Sequence, residues 1–189
     1  MELAERGQPF LTYYDDTTGE RTELSSATFA NWVAKTTHLL RDGLGAGPGD
    51  VVGLDLPDHW LTVAIAFAAW RAGATVTRGP AEVTFATEDR LPVAGAREVV
   101  GVVLAATREP LSRPYPGVTD YGDEVAAYPD TFDGGADLPP GPADPARRLV
   151  TDGDVLAAAL AAYRGGGSIV FGRISDPERT AATERADLA

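Results

Sequence analysis

The chain has 189 residues, 44% of them hydrophobic, and a formal net charge of −12, which fits one compact domain with a sizeable core. The negative balance argues against nucleic acid and anionic membrane as partners, since both select basic patches, and no apolar run approaches the roughly 20 residues of a membrane-spanning helix. With no cysteine and two histidines, His38 and His59, neither a disulfide framework nor a His-based metal site is expected, and no cofactor is implied.

In chain order, MELAERGQPF has no basic start followed by an apolar stretch, so no signal peptide is expected and a cytoplasmic location follows. Phe10 to Tyr14 and Arg21 to Leu24 read as two short strands joined by DDTTGE, with Gly19 supplying the positive φ of a hairpin turn. Ser25 or Ser26 caps a helix on which Phe29, Trp32, Val33, Thr36, Leu39 and Leu40 share one face, and Gly43 is a C-terminal stop. GLGAGPGD then leads into the apolar strand VVGLDLP. A helix over 58–72 follows, apolar nearly all round and therefore deep in the domain, with Asp58 as its cap; Gly73 ends it and ATVT is the next strand. Such a strand–helix–strand unit predicts a parallel crossover.

VTFA from Val83 and VVGVVL from Val99 read as further strands, the second as the buried middle of a parallel sheet. Thr119 to Tyr128 predicts a short helix, and Pro129 to Pro145 a Pro-, Gly- and Asp-rich loop. Asp152 or Asp154 caps an Ala-rich helix to about Tyr163, Gly165 to Gly167 form a turn, and SIVFG is the last strand. The expected organisation is a single α/β domain over 1–175, its mostly parallel sheet flanked by helices and preceded by a hairpin. A polar tail, helical or disordered, occupies 176–189.

Three stretches carry a family resemblance. ELSSATFANW, GLGAGPGDVVGLDLPD and AIAFAAWRAGATVT stand in order and without gaps where the adenylate-forming superfamily has its first helix, its Gly-Asp-x-Val strand entry and its Lys-Ala-Gly-Ala-Val helix end. The chain from about Phe10 to Pro80 thus resembles the opening of acyl- and aryl-CoA synthetases, peptide-synthetase adenylation domains and luciferases. A weaker match returns at RRLVTDGDVLAAALAAYRGGGSIVF, which resembles the helix and strand after the family's phosphate loop. As a whole the chain is similar to a small uncharacterised actinobacterial family distantly related to the N-terminal domain of AMP-binding enzymes. The resemblance implies a layered α/β scaffold; it does not by itself imply activity.

Adenylation needs a flexible hydroxyl- and glycine-rich loop around the ATP phosphates, acids with Mg²⁺, and a cation at the acyl phosphate. The resemblance places that loop just before Val150, where the chain reads ADLPPGPADPARR, without a hydroxyl residue between Thr131 and Thr151. Prolines lack the N–H that a phosphate nest requires. The sole lysine, Lys35, lies on the first helix, and no stretch corresponds to the family's small C-terminal domain. No catalytic residue carries over, and adenylating activity is not expected.

Other features are weighed against plainer readings. GLGAGPGD fails dinucleotide-loop spacing and precedes a strand, so it reads as a helix stop and turn. Gly165-Gly166-Gly167-Ser168 reads as an αβ turn rather than an anion nest. Asp120, Asp123 and Glu124 read as an exposed acidic turn rather than a Mg²⁺ site, and Arg147–Arg148 as surface partners of Asp144. Asp58, His59 and Trp60, after a parallel strand, are the candidate ligand-binding residues, because α/β folds bind ligands there and a neutral histidine can bind or transfer protons. The expected function is a non-catalytic protein on a degenerate scaffold, binding a small molecule or a protein. The alternatives are a divergent enzyme or nucleotide or acyl-CoA binder using a cleft near Asp58–His59, and a structural or regulatory partner of a larger protein. Sheet edges left uncovered by a shortened domain predict a homodimer.

Overall fold

The computed structural model describes residues 9–188. Met1–Gln8, where the sequence speaks against a signal peptide, and Ala189 lie outside them. The elements run β1 (Leu11–Asp15), β2 (Glu20–Leu24), α1 (Ser26–His38), β3 (Val51–Asp55), α2 (Trp60–Ala72), β4 (Thr75–Arg78), β5 (Val83–Thr87), β6 (Glu98–Val102), β7 (Val118–Asp120), α3 (Tyr121–Glu124), β8 (Arg147–Val150), α4 (Val155–Gly165), β9 (Ser168–Arg173), α5 (Pro177–Glu184) and β10 (Asp187–Leu188). The chain forms two compact units. The first comprises Met1–Ala30, Asp58–Val63 and Pro139–Ala189; the second comprises Asn31–Pro57 and Ala64–Leu138. Each holds one five-stranded sheet.

In the first unit the strand order is β10-β8-β9-β1-β2. Only β1 and β2 are antiparallel, in the expected hairpin with Gly19 at φ 78°; β1 with β9, β9 with β8 and β8 with β10 are parallel. Register and pleat sort the side chains into two faces. Leu11, Tyr13, Ile169 and Phe171 share one face with Glu20. The other carries Thr12, Tyr14, Arg21, Val170, Arg147 and Leu149. Helix α4 starts at the Asp154 cap, whose carboxylate accepts from the N–H groups of Leu156 and Ala157, and stops at Gly166 in the left-handed conformation, φ 70°. The polar stretch after β9 contains α5, capped by Asp176.

In the second unit the order is β4-β3-β5-β6-β7 and every pairing is parallel. The chain goes from β3 to β4 on one side and returns to place β5 on the other. β5 and β6 are buried along nearly their whole length, as the apolar run VVGVVL predicts for β6. β3 approaches the turn that follows β4 so closely that a Cβ on Gly53 would meet the Gly79 carbonyl at 2.4 Å. Thr36, on the apolar face of α1, bonds the Tyr121 hydroxyl at 2.7 Å with both groups buried.

Two helix starts repay attention to the local chemistry. Ser25 Oγ accepts from the Thr28 N–H at 3.1 Å and sets the first turn of α1, as an N-cap does. Helix α2 begins at Trp60, two residues after the expected start, and His59 stands immediately before it. The helix is buried from Trp60 through Ala69, in agreement with its apolar circumference.

Candidate functional site

Asp58, His59 and Trp60 belong to the first unit. Asp58 is exposed, while His59 and Trp60 are buried, with ring centroids 5.5 Å apart. The sheet presents Tyr13 edge-on to the imidazole at 4.5 Å, and Glu20 lies on the same face of the sheet as Tyr13. His59 Nδ1 accepts from the Leu61 N–H at 3.2 Å. This bond assigns the ring proton of the neutral imidazole to Nε2. Nε2 is buried without a hydrogen-bond partner, and the nearest acid oxygen, Glu20 Oε1, is 3.6 Å away, beyond hydrogen-bond reach.

The electrostatics follow from this packing. Burial pushes His59 down to about 4, against the pull of Asp15. Burial, with Asp15 and Glu20 adding to it, pushes Tyr13 up to about 12. At neutral pH the site therefore holds a neutral imidazole and a neutral phenol. The basic lone pair of His59 is spent on helix α2, so the group left without a partner is the Nε2–H, a buried donor. The three candidates do not converge: His59 and Trp60 face inward and Asp58 outward.

The segment just before β8 is the second place where the sequence locates chemistry. Pro139, Pro140, Pro142 and Pro145 contribute no N–H. The Asp144 N–H donates to the Ala161 carbonyl at 2.8 Å, and the Ala146 N–H to the Asp144 carboxylate at 2.9 Å. The other oxygen of that carboxylate accepts from Arg148 Nε at 2.8 Å, which with the Ala146 bond holds Asp144 below the usual carboxylate range. The segment lies flush on the end of α4: a Cβ on Gly165 would strike the Asp144 backbone at 2.2 Å, and one on Gly167 the Ala146 carbonyl at the same distance. The glycines thus serve close packing, and the N–H groups of Gly166 and Gly167 are spent on the Ala162 carbonyl, so no anion nest forms there.

Among the remaining candidates, Asp120 caps α3 by accepting from Gly122 and Asp123 and also accepts from Leu111 N–H at 2.7 Å. Among the described residues no group of three or more His, Asp or Glu side chains is placed to hold a metal ion. In GLGAGPGD, Asp50 accepts from the Gly47 N–H at 2.8 Å and closes the turn into β3. Arg148 pairs with Asp144 as expected, but Arg147 does not: it turns to the opposite face and bonds Glu184. Sequence reasoning missed this cluster of Tyr14, Arg21, Arg147 and Glu184, whose members are up to 170 positions apart. The only local signal was Glu184 at i+3 from Ala181 on one helix face.

No family model matches the chain. A protein of Mycobacterium tuberculosis, named only for its numbered sequence family, is 46% identical over 132 residues, covering 65% of this chain and 54% of that protein. A crystal structure of an acyl-CoA synthetase of Brucella canis superposes with a TM-score of 0.76 at 15% identity, covering 96% of this chain and 44% of that one. An acetoacetyl-CoA synthetase from Streptomyces lividans gives 0.64 at 18% identity, with 87% and 36% covered. An anthranilate CoA ligase in complex with anthranoyl-AMP gives 0.64 at 14%, with 88% and 42% covered. The chain spans about half the length of the curated relative and less than half of each of these structures. It has the acyl-CoA synthetase fold over nearly all of its own length, and its similarity to an actinobacterial relative agrees with the resemblance read from its sequence.

Proposed function

We propose that this chain is a binding protein built on the N-terminal scaffold of adenylate-forming enzymes and that it does not adenylate. The observation that carries this reading is the segment before β8. Four of its positions are proline, and the N–H groups of Asp144 and Ala146 are already bonded within the protein. A triphosphate brought there would meet the Asp144 carboxylate in place of a ring of donors, and fixed donors are what phosphate recognition requires. The scaffold then serves to bind a small molecule or a protein.

An ATP–pyrophosphate exchange assay over a broad carboxylate panel tests the first half of the reading; exchange above background refutes it. A thermal-shift screen with nucleotides, CoA esters and carboxylates tests the second, because a ligand that binds only the native state raises the midpoint by mass action.

One observation favours a second reading, a divergent site at His59. A buried Nε2–H without a partner is a donor waiting for an acceptor. A ligand bearing a carbonyl or a carboxylate would satisfy it. A ligand found by the screen whose affinity is unchanged in His59→Asn would eliminate this site.

A further inference from the structure

In the second unit the chain leaves α3 and crosses α1 and the end of α2 along residues 128–136, where cations of the two helices fasten its carbonyls. Lys35 Nζ donates to the Tyr128 carbonyl at 2.5 Å and pairs with Asp130 at 3.0 Å. Arg71 Nη1 donates to the Ala136 carbonyl at 2.7 Å, and the Ala136 N–H returns a bond to the Arg71 carbonyl at 2.9 Å. Between these two ties stands His38. Its ring stacks on Tyr128, with centroids 6.4 Å apart and 5° between the planes, and meets Phe132 edge-on at 4.9 Å. Its Nε2 lies 3.0 Å from the Thr131 carbonyl oxygen. Its Nδ1 lies 2.7 Å from Oδ2 of Asp42, in the π-helical turn Leu39–Gly43 that follows α1.

The partners on both sides of this ring are acceptors. A carbonyl oxygen has no proton to give, and neither has an ionised carboxylate. A neutral imidazole has one N–H and one lone pair, so it serves one partner and turns a lone pair on the other. Only the imidazolium, with a donor on each nitrogen, makes both bonds. The neutral ring keeps its remaining proton on Asp42, because a hydrogen bond to an ionised acceptor is roughly twice as strong as one between neutral groups. The bond to Thr131 is therefore the one that is lost. The charged and titratable groups around the ring are Lys35 and Asp42 from α1 and the turn after it, Tyr128 and Asp130 from the crossing stretch, and Glu124 of α3 beyond Tyr128. Lys35 is engaged by Asp130. Burial, with Glu124 and Asp42 adding to it, pushes the Tyr128 phenol up, so that group stays neutral where a histidine changes charge.

We propose that His38 is a pH-sensitive latch: its imidazolium joins Asp42 to the Thr131 carbonyl, and loss of one ring proton releases Thr131 and Phe132 from α1. The latch is closed in acid and opens as pH rises through the range of roughly 5 to 8 in which a histidine changes charge. Lys35 and Arg71 keep their charge throughout that range, so the ties at Tyr128 and Ala136 persist and the opening is confined to the stretch between them. The chain's other histidine, His59, is held neutral by burial and takes no part. The inference is independent of whether the segment before β8 binds anything.

Nuclear magnetic resonance of the full chain, with its histidines labelled in the ring, tests the proposal. At the acid end of the range both nitrogens of His38 carry protons, and nuclear Overhauser contacts join its ring to that of Phe132. As pH rises the ring becomes neutral with its proton on Nδ1, and the contacts to Phe132 are lost with the same midpoint. Asp42→Asn separates the latch from mere packing. The side-chain amide of the variant donates to Nδ1 of the neutral ring, which leaves an Nε2–H for Thr131, so the contacts to Phe132 survive the whole titration. Three results would each overturn the proposal: contacts that persist in the unaltered chain after its ring turns neutral, a neutral ring that keeps its proton on Nε2, or release of Phe132 in Asp42→Asn at the midpoint of the ring's titration.

Discussion

Protonating His59 costs the fold stability, and the cost can be worked out from its surroundings. The imidazole side chain is 4% exposed, and burial lowers its pKa from 6.5 to about 4. Glu20 at 3.6 Å and Asp15 favour the imidazolium, but Glu20 Oε1 is already engaged by the Thr22 hydroxyl at 2.7 Å, and burial prevails. Because the folded state holds the proton less tightly than the unfolded chain, the unfolded chain binds more protons between the two values. Stability is therefore complete above pH 6.5 and is lost as pH falls from 6.5 to 4. A shift of roughly 2.5 units corresponds to about 3 kcal/mol. Urea unfolding at pH 7 and pH 4, compared between the unaltered chain and His59→Asn, isolates it. His59→Asn keeps an acceptor for the Leu61 N–H while removing the titrating group, so its loss of stability between those pH values is smaller than that of the unaltered chain by about 3 kcal/mol, the remainder coming from carboxylates such as Glu184. An unaltered slope in the variant would refute the account of His59 as a buried neutral donor.

Glu184 titrates in a lower window. Burial raises its pKa, but hydrogen bonds from Tyr14, Arg21 and Arg147 outweigh it and bring the group to about 2 from 4.5. Its contribution is full above pH 4.5 and is lost as pH falls toward 2; Glu184→Gln lowers stability at pH 7 by about 3 kcal/mol, and in urea melts the difference from wild type must shrink below pH 3. Gly53→Ala places a Cβ 2.4 Å from the Gly79 carbonyl and 2.6 Å from the Ala81 nitrogen, both backbone atoms, so thermal unfolding should show a loss of more than about 2 kcal/mol; an unchanged midpoint would contradict the approach of β3 to that turn. Asp154→Ala removes the acceptor for two N–H groups at the start of α4, and urea unfolding should register about 1 kcal/mol.

The elements governed by local chemistry were legible in the sequence. The i, i+3, i+4 pattern from Phe29 to Leu40 marks the buried face of α1 and of the turn after it: Phe29, Val33, Thr36, Leu39 and Leu40 are buried, while Trp32 is half-buried. Gly19 and Asp154 act as their residue types dictate. β7, β8 and β10 were not anticipated: they are two to four residues long, too short for a period to register. β8 also opens on two arginines, and what makes RRLV a strand is pairing with β9 and β10, which is long-range. The division of the strands between two sheets depends on the same non-local register. At the candidate site, the neutrality of His59 and the placement of Asp58, His59 and Trp60 depend on Tyr13 and Glu20, more than 35 positions away. The role of the Pro-rich segment was easier to foresee, because a proline forfeits its N–H wherever it sits.

The central claim is that this scaffold does not hold nucleotide phosphates, and calorimetric titration of the chain with Mg·ATP tests it most directly. The segment before β8, with its prolines and its carboxylate at Asp144, predicts no saturable heat up to millimolar nucleotide. Saturable micromolar binding that weakens when Ala146→Pro removes one more N–H would contradict it.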